Sequence, residues 1–142
     1  MLKPTRGGKG RNMIAKATAP GERKVGKLST KVANILGLMQ RKNQPIVMGE
    51  SNIRHMKETH PKEYEKYGKY IPQIISNPDY VGRNEKDDSI EYVKEFKVDN
   101  DFVKVAVRLA GDGKLFARSI YVLKPSRVQN SIKTGKLIKV DK

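Results

Sequence analysis

Residues 89–123 read SIEYVKEFKVDNDFVKVAVRLAGDGKLFARSIYVL, and apolar residues alternate there with polar ones at period two. That period is the mark of half-buried β-strands. Turn residues punctuate it at Asp99–Asp101 (DND) and Gly111–Gly113 (GDG), so the stretch predicts three consecutive antiparallel strands. Lys94 falls on one strand face with Ile90, Tyr92 and Phe96. Ser119 and Tyr121 fall on a face with Leu115, Ala117 and Leu123. A one-residue step flips the face, which puts Arg118 in the other row with Phe116, Ile120 and Val122.

Outward from this sheet, helical signals dominate the N-terminal side. KLSTKVANILGL places Leu28, Val32, Ile35 and Leu36 on one helical face, with Gly37 as a stop. Pro45–Met48 reads as a short edge strand. Ser51 suits an N-cap for a helix carrying Ile53, Met56 and His60, and Pro61 suits the first turn of the next. Tyr64, Tyr67 and Ile71 line that second helix until Pro72 interrupts it, and NPDYVG follows as an extended connection. Downstream, Val128, Ile132 and Leu137 predict a short helix and a fourth strand. Helices followed by antiparallel strands indicate an α+β domain, its N-terminal helices packed on one face of a three- to four-stranded antiparallel sheet. The opposite face is then open to a ligand.

The chain has 142 residues, room for one domain. Residues 1–26 form a basic tail or linker, too poor in apolar residues to order alone, and 27–142 form the domain. Cysteine is absent, which excludes a disulfide framework and a thiolate zinc site. No run of 18 apolar residues and no signal-peptide core occurs, so the chain reads as soluble, with no membrane partner. Thirty Lys and Arg against fifteen Asp and Glu give a net charge of +15. Such a field favours a polyanion, foremost nucleic acid. Neither a GxGxxG after a strand nor a P-loop is present, so no nucleotide cofactor is expected.

His55 and His60 are the only histidines. Imidazole exchanges protons near neutral pH, but a spacing of five is poor for joint metal ligation, and no metal site is expected. The plainer alternative packs His60 on the apolar helix face and leaves His55 in water. Lys57 reads first as a solvated helix charge. Lys94, among apolar neighbours, must reach the sheet edge, pair with an acid or face a ligand. Arg118 can grip phosphate with its planar fork, and the Ser119 and Tyr121 hydroxyls can hold phosphate oxygens. Tyr121 is also readable as a core residue with a satisfied hydroxyl. Together these groups suit metal-free RNA cleavage, in which a base takes the 2′-hydroxyl proton and an acid protonates the departing 5′-oxygen.

The order of VGKLSTKVANILGL, NIRHMKETHPKEY, IPQIISNPDYVG, SIEYVK, VAVRL and LFARSIYVL resembles a family of phage and mobile-element nucleases of the barnase–EndoU–colicin–RelE-like superfamily. The resemblance spans about residues 25–139. It implies N-terminal helices, a four-stranded antiparallel sheet and a metal-independent endoribonuclease acting as a toxin, effector or phage-borne nuclease. Carried over by position, it implies catalytic roles for His55, His60, Lys94, Ser119 and Tyr121, where serine stands in place of the more usual threonine. Lys57 and Arg118 match no fixed family position and enter as substrate-binding residues on their chemistry alone. The implied partner is RNA or another nucleic acid, with room for an antitoxin or immunity protein. The implied location is the cytoplasm of a bacterial host, reached alone or as part of a phage or larger protein. The competing readings are a non-catalytic nucleic-acid binder and an interaction module of a phage particle.

Overall fold

The computed structural model of the protein describes residues 21–110 and 113–142. Most of the basic tail, and two residues of the GDG turn, lie outside them. Among the described residues seven strands form one sheet. They are β1 (Arg23–Lys27), β2 (Pro45–Met48), β3 (Tyr80–Arg83), β4 (Ile90–Phe96), β5 (Asp101–Leu109), β6 (Leu115–Leu123) and β7 (Ile138–Lys139). The helices are α1 (Thr30–Leu36), α2 (Glu50–Thr59), α3 (Pro61–Tyr67), α4 (Ile71–Ser76) and α5 (Pro125–Lys133).

The central stretch folds as its alternation predicts, with β4, β5 and β6 forming successive antiparallel pairs. The sheet around them is wider than a three- or four-stranded one. Its order is β1-β2-β6-β5-β4-β3-β7, and β2 runs parallel to β6. Pro45–Met48 is therefore an inner strand, not an edge. The edge is β1, whose first four residues were assigned in sequence to the tail. The connection NPDYVG runs into β3, which pairs with β4 on one side and β7 on the other.

Local chemistry accounts for the helix ends. The Ser29 hydroxyl accepts the Val32 N–H at 3.1 Å, and Gly37 closes α1 in the left-handed region at φ 71°, which only glycine enters freely. For α2 the cap is Gly49 rather than Ser51, because the Asn52 side-chain oxygen reaches back to the Gly49 N–H at 2.8 Å. Pro61 opens α3, where its missing N–H is no loss.

The main core lies between one sheet face and the helices before β3. Leu28, Val32, Met56, Ile71 and Ile74 pack there against Tyr92, Val103, Val105 and Ile120, all at most 3% exposed. A smaller core occupies part of the opposite face, where Val128 of α5 and Leu137 cover Val93 and Phe102. Helical cover thus falls on both faces. What remains open on the second face, beside α5, is the space above the starts of β4 and β6 and the end of β5.

Candidate active site

The sheet floor of this open region is low because Ala106 and Ser119, both small, stand opposite each other across β5 and β6. Longer side chains rise around them. The result is a hollow of about 220 Å³, walled by His55 from α2, Lys104 and Arg108 from β5, and Arg118 and Tyr121 from β6. Asn84, Asp87 and Glu91 complete the far side.

A β-bulge decides which β6 residues reach it. Ala106 pairs with Ser119 and Val107 with Ala117, so Arg118 is an extra, unopposed residue. The core positions of β6 are accordingly Leu115, Ala117 and Ile120, a spacing of two and then three. This corrects the sequence-based rows. Ser119 and Tyr121 face away from Ala117, and Arg118 joins them in the hollow instead of sharing a row with Ile120.

β2 pairs with β6 only at Leu115 and Phe116. Beyond that point α2 packs along β6 in place of a strand. Met56 points into the core while His55, one position away, turns toward the hollow. His60 ends α2 and meets the Tyr121 ring edge-on, with centroids 4.4 Å apart and planes at 68°. Its Nδ1 lies 3.9 Å from the Glu63 carboxylate. The two histidines therefore serve one place unequally: His55 lines the hollow, and His60 braces the tyrosine that lines it.

Charge in the hollow is organised by Lys104. Its ammonium donates to Glu91 at 3.0 Å and sits 4.8 Å from the centre of the Tyr121 ring. Asn84 donates to the same Glu91 oxygen at 3.3 Å. At the rim, the N–H and hydroxyl of Ser89 both donate to Asp87, holding its carboxyl below the usual carboxylate range. Three cationic side chains face two carboxylates, and Lys104 largely answers Glu91. Among the described residues the Arg118 side chain has no hydrogen-bond or ion-pair partner, so its guanidinium is available to an anion.

Two expected site residues lie elsewhere. Lys94 does share its face with Ile90, Tyr92 and Phe96, but that face is the core side, away from the hollow. Its ammonium donates to the Asn77 carbonyl at 3.0 Å. Burial pushes its pKa down, against the attraction of Asp79. Lys57 is exposed, 5.8 Å above the Tyr64 ring. The sequence reading missed Lys104, Arg108 and Glu91. The signal was present in β5, where Lys104, Ala106 and Arg108 alternate with Val103, Val105 and Val107 as the outward row. Among the described residues, no three His, Asp or Glu side chains are grouped as metal ligands.

The α+β sheet thus gathers an imidazole, a phenol and a free guanidinium around one small cationic hollow. The chain belongs to the phage-Barnase-EndoU-ColicinE5/D-RelE like nuclease3 family, whose sequence model matches residues 23–130. The match starts with β1 and takes in every residue of the hollow. No protein of curated function and no solved structure matches the chain.

Proposed function

We propose that the protein is an endoribonuclease that cuts RNA without a metal ion. The 2′-hydroxyl attacks the adjacent phosphorus, the bond to the 5′-oxygen breaks, and the products carry a 2′,3′-cyclic phosphate and a 5′-hydroxyl. The observation that supports this reading is the meeting of His55, Tyr121, Ser119 and Arg118 in one hollow, on a chain of a nuclease family. His55 carries one of the two protons in flight, off the 2′-hydroxyl or onto the departing 5′-oxygen, and the Tyr121 hydroxyl or solvent water carries the other. Arg118 and Arg108 hold the non-bridging phosphate oxygens, and their charge counts for most as negative charge builds on the phosphorane. The Ser119 and Tyr121 hydroxyls bond to the same oxygens or to the leaving group. Lys104 keeps the tyrosine beneath a positive charge, and His60 fixes its ring. Lys94 has no part in this chemistry. In biological terms the enzyme acts on RNA of a bacterial cell, as a toxin, effector or phage-borne nuclease.

The test is incubation with end-labelled total RNA in EDTA, wild type beside His55→Ala, Tyr121→Phe, His60→Ala and His60→Phe. Loss of a proton-transfer group slows cleavage by about 10²–10⁴-fold, and this is expected for His55→Ala. His60→Phe, which keeps a ring against Tyr121, should retain far more activity than His60→Ala. Products ending only in 3′-hydroxyl, cleavage that requires magnesium, or full activity of His55→Ala would each overturn the mechanism. Salt-sensitive binding with no cleavage would leave a nucleic-acid binder instead.

A further inference from the structure

Lys94 leads to a second feature, on the core side of the sheet at the β4–β5 turn. With Tyr70, Phe96, Lys69 and Lys97 it lines a cleft of about 580 Å³. The Phe96 ring stands 5.4 Å from Tyr70 and 4.9 Å from Tyr67, tilted at 50° and 47°, so an aromatic step forms the floor. The Lys69 ammonium lies 5.3 Å from the Tyr70 ring centre. Of the acids nearby, Asp99 and Asp101 share Lys66, each at 3.5 Å, Asp79 pairs with Lys142 and also attracts Lys94, and Glu95 lines the cleft. Lys69 and Lys97 are exposed and have no carboxylate partner among the described residues. Lys94 gives one hydrogen bond to a carbonyl and has donors to spare. At the tip of the turn Val98 is fully exposed.

Aromatic faces interleaved with unpaired cations are what single-stranded nucleic acid needs, since every base has a π-face and every linkage a charge. We propose that this cleft is a second binding site for single-stranded RNA, with bases against Tyr70 and Phe96 and phosphates on Lys69, Lys94 and Lys97. The inference rests on RNA being the substrate. It places part of the substrate on the reverse of the sheet, five residues along β4 from Glu91, or roughly 17 Å at the rise of a strand.

The experiment measures binding of a fluorescent 2′-O-methyl oligouridine to the full chain by anisotropy, over a range of salt concentrations. That probe has no free 2′-hydroxyl and cannot be cut by the proposed reaction, so failure of the cleavage mechanism leaves this reading intact. Lys69→Glu/Lys97→Glu should weaken binding by about tenfold or more. It should also flatten the salt dependence by roughly 1.4 in log–log slope, about 0.7 for each phosphate that is no longer neutralised. A control pair on the other face, Lys133→Glu/Lys136→Glu, should do less. Tyr70→Leu should weaken the oligonucleotide on the order of tenfold, as removal of base stacking does, while affinity for inorganic polyphosphate stays put. If the two lysine pairs act alike, the protein's general field is binding the probe and the site is refuted. If Tyr70→Leu folds and weakens polyphosphate equally, the stacking role is refuted; if it does not fold, the lysine pairs decide.

Discussion

Gly82 in β3 offers the sharpest test of how the C-terminal segment is held. A Cβ built there would stand 2.1 Å from the Lys136 carbonyl oxygen and 3.2 Å from a Leu137 methyl. Ordinary contact begins near 3.4 Å, so the carbonyl must retreat by about 1.3 Å. That carbonyl is backbone, in the short turn between α5 and β7, and cannot swing aside as a side chain would. Moving it pulls on Leu137 and Val140, which are 4% and 6% exposed, and on the two-residue pairing of β7 with β3. Complete loss of either side chain's burial would cost about 1.5–3 kcal/mol, and partial relaxation recovers some of it. Gly82→Ala should therefore destabilise by about 2–4 kcal/mol. Gly135→Ala is the comparison: its φ is +81° but nothing lies within 4 Å of the added carbon. Its cost is backbone strain alone, about 1 kcal/mol. Urea unfolding followed by circular dichroism gives both values. A Gly82→Ala loss no larger than that of Gly135→Ala would refute the argument from close approach.

Arg118→Ala should lower kcat/KM for RNA by roughly 10- to 100-fold, the worth of a charge-assisted hydrogen bond, and Arg118→Lys should recover only part because lysine lacks the planar fork. Steady-state kinetics on a short labelled RNA decides this. Removing the Glu91 charge (Glu91→Gln) frees Lys104, so the hollow should bind inorganic phosphate more tightly, which isothermal titration would detect. Asp79 predicts an acid limit to stability. Burial works to raise its carboxyl pKa, but hydrogen bonds from Lys142 and the Glu95 N–H, with the charges of Lys142 and Lys94, outweigh this and lower it. The folded pKa lies below the unfolded value near 3.9, so its stabilisation is complete above that value and lost as pH falls through the folded one. Asp79→Asn should be less stable than wild type at neutral pH, with the difference shrinking below about pH 4; thermal melts from pH 3 to 7 would show it.

What sequence could reveal of this fold followed from how local each signal was. β4, β5 and β6 are joined by short turns, and their alternation alone places them. β1, β2 and β7 are two to five residues long and pair with distant segments. No period can establish itself over so few residues, and their partners are set by tertiary packing. The site divided along similar lines. His55, Ser119 and Tyr121 were legible as chemistry, but the grouping of Ser119 and Tyr121 with Ala117, and of Arg118 with Ile120, does not hold because strict alternation fails at one residue. Lys94 looked functional for sound reasons, being a lysine among apolar neighbours. Its ammonium instead reaches a backbone carbonyl beside α4.

That single irregular residue has a further implication. Without Arg118, Ala117 and Ser119 would become neighbours facing Val107 and Ala106, which are themselves neighbours, and the ladder would run on unbroken. Ile120 would still meet the helices and Tyr121 would still stand over the hollow. The guanidinium is thus an accessory spliced into an otherwise self-sufficient strand, and a chain shortened by that one position should keep its architecture while losing one of the two guanidinium groups that line the hollow.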